Sequence, residues 1–263
     1  MADKPRALII KSSGTNCDEE SCFITQKAGF EAEIIHANEI FKKTELLRKY
    51  HLLYIPGGFT YGDDLGAGTV FGNEILIKLG WLLKDFVKEG KLILGVCNGF
   101  QILVRSGLLP DPFDDAYGSV TLSQNSSGKF ECRWVCLKIS SIKSEFLKEG
   151  NIIELPVAHG EGKFLTKDRK TLDLLYSRGQ VILQYTDKDG NLAGYPYNPN
   201  GSIDNIAGIC DSTGRILGLM PHPERFNDIT NHPLWTRQNR ARVIEPHGLM
   251  FFRNAFDYVR GKL

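Results

Sequence analysis

The chain reads as an α/β protein with a doubly wound, mostly parallel sheet and additional antiparallel strands, and three observations predict that class. From Ala7 to Val96 short apolar runs alternate with amphipathic stretches, the texture of repeated strand–helix units. The runs are apolar throughout, as strands buried on both faces are. From about residue 110 to 205 the chain changes to turn-rich sequence with alternating apolar residues, which fits antiparallel pairing and long loops.

The elements follow in order. ALIIKS (7–12) reads as a strand and Asp18 to Ala28 as a helix; AEIIHA (32–37) is the next strand, before a charged stretch from Glu39 to Lys49. LLYIPGG (52–58) runs into a glycine-rich loop, apolar residues recur at helical spacing from Glu74 to Lys88, and KLILGV (91–96) is a fourth strand. Connections of this kind place ligands beyond the carboxyl ends of the strands. Further along, ECRWVCLKI (131–139) alternates, while DKDGN (187–191) and NPNGS (198–202) mark turns. RILGLM (215–220) leads into PHPER, and a helix from about Pro246 to Arg260, with proline in its first turn, closes the chain. No flexible linker, repeat or low-complexity segment divides residues 1–263, which read as one domain.

Composition narrows the function. A 263-residue chain with 42% hydrophobic and 24% charged residues is globular. Thirty-two basic against thirty-one acidic residues leave a formal charge of +1, which argues against a dedicated nucleic-acid binder. The apolar run Ala7 to Ile10 is too short for a signal peptide, and Lys78, Lys84, Asn98 and Gln101 interrupt the longest candidates for a membrane span. A soluble, cytoplasmic protein with no membrane and no nucleic-acid partner is expected. Six cysteines are too sparse for a disulfide scaffold, so reduced thiols are expected.

Cys97 stands apart from the other five. It follows the strand LILGV and precedes a helical pattern, with Gly95 and Gly99 at minus two and plus two. That G-x-C-x-G arrangement parallels the nucleophile elbow, where glycines permit a tight, strained turn that exposes the nucleophile. The positive end of the following helix favours thiolate over thiol, and the Asn98 N–H points at a developing oxyanion. Cys17, Cys22, Cys132, Cys136 and Cys210 have no such context and read as structural; no second cysteine pair completes a zinc pattern around Cys132 and Cys136.

A thiolate that attacks an acyl group needs an imidazole oriented by a carboxylate. Two stretches offer one: His222-Pro223-Glu224 and His159-Gly160-Glu161. In extended chain each Glu lies on the same side as its His. Prolines at 221 and 223 stiffen the first pair and glycines at 160 and 162 loosen the second, so preorganisation favours His222 and Glu224 while His159 stays open. The loop from Pro56 to Gly68 matches neither G-x-x-x-x-G-K-[ST] nor G-x-G-x-x-G. It is either a plain glycine loop or the source of a second oxyanion donor.

GVCNGFQ around Cys97, PGGFTYGDDLGAG and PHPER resemble the class I (triad) glutamine amidotransferases over nearly the whole chain. Within that class NSSGKFECRW (125–134), AHGEGKF (158–164), YNPNGSIDNIAGI (197–209) and GLMPHPER (218–225) are similar to the glutaminase subunits of phosphoribosylformylglycinamidine synthase, which serve purine biosynthesis. The resemblance implies a flavodoxin-like fold, a triad of Cys97, His222 and Glu224, and an oxyanion hole from the N–H groups of Gly58 and Asn98. It implies that Gln101, Asn125, Ser127 and Phe130 hold the amino-acid end of glutamine, and it leaves the role of His159 and Glu161 undefined. It also implies a stand-alone subunit without cofactor or metal of its own, which hydrolyses glutamine through a Cys97 thioester. Ammonia then passes to a large synthetase subunit that uses ATP and magnesium to amidate formylglycinamide ribonucleotide, and a small bridging subunit joins the complex.

The segment from Phe226 to Ile244, with Arg237, Arg240 and Arg242, exceeds compact members of the family, and reads either as a synthetase contact or as a solvated basic loop. Two rival readings remain. One is a glutaminase serving a guanylate, cytidylate or anthranilate synthase, against which AHGEGKF and NPNGS argue. The other is a non-catalytic flavodoxin-like redox sensor built on Cys97, which requires neither His222 nor Glu224.

Overall fold

The computed structural model describes residues 4–114, 116–148, 152–237 and 246–263. Its first strands are β1 (Arg6–Lys11), β2 (Glu31–His36), β3 (Leu52–Ile55) and β4 (Leu92–Val96). All four residues of β3 and all five of β4 are buried, because apolar side chains on both faces of a central strand are covered by helices. The connecting helices are α1 (Asp18–Lys27), α2 (Ala37–Lys42) with a 3-10 turn over Thr44–Lys49, and α3 (Thr69–Lys88). The charged stretch after β2 is thus broken in two, and α3 begins a turn and a half before the periodicity announces it. Helix α4 (Asn98–Arg105) leaves directly from Cys97 and packs against α3.

The middle of the chain supplies β5 (Val120–Gln124), β6 (Glu131–Ile139), β7 (Ile152–His159), β8 (Glu161–Thr166), α5 (Arg169–Ser177) and β9 (Val181–Thr186). β10 (Ile206–Cys210), β11 (Ile216–Leu219) and α6 (His247–Lys262) complete it. Pro246 stands just outside α6 with an extended ψ of 125°, as its cap and not in its first turn.

Among the described residues the main sheet has nine strands in the order β2-β1-β3-β4-β11-β10-β9-β6-β7, with β5 and β8 forming a separate ribbon. The five strands from β2 to β11 are mutually parallel. From β10 outward each strand runs against its neighbour. The doubly wound, mostly parallel sheet with added antiparallel strands is therefore the observed fold. Because β1, β3, β4 and β11 point the same way, the segments that leave them converge on one edge: Cys17 after β1, Gly57 and Gly58 after β3, Cys97 after β4 and His222 after β11. No helix among the described residues is long and apolar enough to cross a membrane.

Candidate active site

Cys97 has φ 52° and ψ −108°, a left-handed backbone that a residue with a Cβ adopts only under strain. The surroundings impose it. A Cβ at Gly99 would lie 1.9 Å from the Ile55 carbonyl oxygen, so only glycine lets α4 start this close to β3. The Cys97 N–H donates to the Leu219 carbonyl at 2.8 Å, which ties the turn to β11. The sulfur lies 3.7 Å from the Ala158 carbonyl oxygen and faces a cavity of about 450 Å³.

His222 reaches the same cavity. Its N–H donates to the Pro156 carbonyl at 2.8 Å, and Pro223 turns the chain into a 3-10 turn over Pro223–Arg225 that packs against α6 and α1. That turn carries Glu224 beneath the imidazole: Nδ1 lies 2.5 Å from Glu224 Oε1, with both side chains almost wholly buried. Tyr54 Oη donates to the other carboxylate oxygen at 3.3 Å. His222 Nε2 is buried and has no partner among the described residues, which leaves it available to a reacting group. Burial opposes protonation of His222, but the Glu224 carboxylate and the Cys97 sulfur outweigh it and raise its affinity for a proton well above the ordinary range.

Gly57 is where these parts meet. A methyl on it would stand 2.9 Å from His222 Cε1, 3.1 Å from Cys17 Sγ and 3.5 Å from Cys97 Cβ. The next residue, Gly58, lines the cavity. The bridge between its loop and the β1–α1 loop uses the N–H groups of Asn16 and Cys17, both on the Gly57 carbonyl, and of Phe59 on the Gly14 carbonyl, and among the described residues it leaves the Gly58 N–H between them unused. The Asn98 N–H belongs to the first turn of α4, where the helix offers no partner. The Asn98 side chain is fully buried: its oxygen accepts from Thr60 Oγ1 at 2.7 Å, and its nitrogen donates to Gln101 Oε1 at 2.9 Å and to Asp63 Oδ1 at 3.3 Å. Asn98 thereby fastens the glycine-rich loop to α4.

The four residues expected to hold an amino-acid end divide. Gln101 and Phe130 line the cavity, with Gln101 Nε2 donating to the Glu161 carbonyl at 2.7 Å. The side chains of Asn125 and Ser127 do not. Asn125 is buried behind the wall and engaged with His159, while Ser127 Oγ donates to Glu131 Oε1 at 2.8 Å. Of the second His-x-Glu pair, His159 lines the cavity without contacting the Glu161 carboxylate, whose Oε2 accepts from the Ala67 N–H at 3.3 Å. Arg240 and Arg242 lie outside the described residues.

Three contributors were not legible as such. Tyr54 is an apolar-strand residue whose hydroxyl needs a buried partner, a signal that points inward but not at Glu224. Cys17 is buried in the cavity wall, with Arg225 Nη2 donating to its sulfur at 3.2 Å. Its position just after β1, at the same sheet edge as Cys97, was the available clue. Cys132 lines the wall too. Cys17, His222 and Glu224 each offer a metal-ligating atom, all within 4.8 Å of one another. The direct Nδ1–Oε1 hydrogen bond and the guanidinium on the thiol oppose a cation there.

A profile for a CobB/CobQ-like glutamine amidotransferase domain matches residues 4–259. The chain belongs to this glutamine amidotransferase family. Among its amidotransferase relatives, phosphoribosylformylglycinamidine synthase subunit PurQ of Dehalococcoides mccartyi is 44% identical over 259 residues, with 98% of each chain covered. The Methanococcus maripaludis subunit of the same name is 41% identical over 266 residues, covering 97% of this chain and 98% of that one. A structure of PurLQS from Thermotoga maritima aligns with a TM-score of 0.73 at 31% identity, over 98% of this chain and 100% of that one. A glutamine amidotransferase from Thermotoga maritima, 15% identical with a TM-score of 0.54 over 98% of this chain and 97% of that one, shares the fold.

Proposed function

We propose that this amidotransferase is the glutaminase subunit of a phosphoribosylformylglycinamidine synthase, and that Cys97, His222 and Glu224 are its catalytic residues. The observation that carries the reading is a strained cysteine beside a buried imidazole whose Nδ1 is held by a carboxylate and whose Nε2 has no partner among the described residues. Near-full-length relatives of that name support the choice among synthases.

The Cys97 thiol passes its proton to His222 Nε2 as its sulfur attacks the side-chain amide carbon of glutamine. The carbonyl oxygen becomes an oxyanion facing the N–H groups of Gly58 and Asn98. His222, held in orientation by Glu224, gives a proton from Nε2 to the departing nitrogen; ammonia leaves and a glutamyl thioester remains. Water then loses a proton to His222 and attacks the thioester, which releases glutamate and restores the thiol–imidazole pair. Gln101 and Phe130 hold the amino-acid end from their side chains, and the 125–127 segment serves through its backbone. The ammonia goes to a separate synthetase subunit, where ATP and magnesium are used, and a small bridging subunit completes the assembly. A cytoplasmic location accompanies this role.

Labelling with a glutamine-derived electrophile tests the reading. Cys97 alone should be modified, free glutamine should protect it, and His222→Ala should slow the reaction. Undiminished labelling in excess glutamine would refute it and favour a redox role for the thiol.

A further inference from the structure

His159 is the buried group that the triad chemistry does not use. It closes β7, is 2% exposed and lines the cavity one residue after Ala158, whose carbonyl oxygen lies against the Cys97 sulfur. Asn125 fixes its tautomer. The Asn125 amide nitrogen donates to the Lys129 carbonyl at 2.9 Å and to the His159 carbonyl at 2.8 Å, which assigns its orientation. Its oxygen therefore faces His159 Nδ1, at 3.1 Å. An amide oxygen only accepts, so Nδ1 carries the hydrogen and Nε2 presents a bare lone pair. That nitrogen is buried and unpartnered among the described residues. Burial, and then the positive charge of His222, hold the ring neutral down to a pKa of about 3. The ring has little room to turn, since a methyl at Gly162 would stand 2.7 Å from Nδ1.

A buried acceptor without a donor is costly, and such groups are retained where a ligand supplies the missing hydrogen. We propose that His159 Nε2 accepts a hydrogen from the side-chain –NH2 of the substrate amide and so sets the preference of the site for an amide over an ester or a carboxylate. The inference rests on the glutaminase reading. An amide has N–H hydrogens to give, whereas an ester has none and a carboxylate turns lone pairs toward a lone pair. The same contact orients the nitrogen that departs and disfavours the glutamate that remains. Asn125, in this arrangement, is a positioning residue acting through His159.

The test compares glutamine with glutamate γ-methyl ester, both read as glutamate released, in the wild-type and His159→Phe chains with the synthetase present. For glutamine kcat/KM should fall about tenfold or more in the variant, while the ester should change by less than about twofold. Equal losses, or an unchanged amide-to-ester ratio, would overturn the assignment and leave the glutaminase reading intact. A wild-type chain inactive on both compounds would overturn the glutaminase reading and the inference with it. Should the variant fail to fold, ¹⁵N-histidine NMR on the Cys97→Ser chain decides: Nε2 of His159 should be unprotonated at neutral pH and shift with glutamine but not with glutamate. A protonated Nε2, or no response to glutamine, would overturn the proposal.

Discussion

Tyr54 Oη lies 3.3 Å from Glu224 Oε2, across 170 residues of sequence, and anchors from below the carboxylate whose other oxygen holds His222. Strand β3 thus braces a group delivered from β11. Tyr54→Phe removes one hydrogen bond to a charged group and leaves the Nδ1–Oε1 contact in place. A bond of that kind contributes about 1.5–3 kcal/mol. Glutamine turnover should fall by roughly tenfold, with KM little changed, in steady-state assays of the complex.

Glu224→Gln should cost far more. The substituted amide nitrogen can donate to Nδ1 and so stabilise the wrong tautomer of His222, leaving Nε2 with a hydrogen where it must accept one. In other triads such a change costs about 10⁴-fold in kcat. A loss of about 10³-fold or more, with Cys97 still accessible to a small alkylating agent, is the expected result; a loss of less than tenfold would remove Glu224 from the triad.

The glycines around the elbow should separate activity from folding. Gly57→Ala places a methyl 2.9 Å from His222 Cε1, a side chain at the cavity edge, so turnover should collapse more than thermal stability does. Gly99→Ala drives a methyl to 1.9 Å from a backbone oxygen in the core, and overpacking there costs about 1–3 kcal/mol or more. Gly194, with nothing near its would-be Cβ, is the control and should accept alanine without effect. Melting temperature and kcat measured together on the three variants check the ordering.

Acid stability should report on His159. Its folded pKa of about 3 lies below the ordinary 6.5, so between those values the unfolded chain binds a proton that the folded chain refuses. The stabilisation is complete above pH 6.5 and is lost as pH falls toward 3. At pH 5 this amounts to ~2 kcal/mol relative to pH 7, from 1.36 kcal/mol per unit. His222 works with the opposite sign: its raised affinity stabilises the fold below pH 6.5 and that contribution fades as pH rises through the folded value. Urea unfolding at pH 7 and pH 5 should show a smaller drop for His159→Gln than for the wild-type chain; identical drops would count against a neutral buried ring.

Much of this was legible in the chain. Apolar runs buried on both faces identified β1, β3 and β4, because a central parallel strand has no polar side to write into the sequence. Gly95 and Gly99 marked Cys97, because backbone crowding at a strained turn admits nothing larger. The antiparallel strands β7 and β8 were harder: Pro156 within β7 and the glycines around Glu161 obscure the alternation, and their pairing depends on partners far away in sequence. The place of Cys17 in the cavity wall was not legible for the same reason, since its closeness to His222 is created only when the turn after β11 crosses to α1.

By itself the sequence determined the α/β class, a candidate nucleophile at a glycine-bracketed elbow, and a pair of His-x-Glu candidates, since these depend on periodicity and local backbone sterics. Only the tertiary structure showed which pair is in contact. It set the Glu224 carboxylate on His222 Nδ1, held His159 by Asn125 instead of Glu161, and brought Tyr54 and Cys17 beneath the site. Hydrogen bonding and burial act over a few ångströms, and which residues come within that range is decided by strand order, not by spacing along the chain.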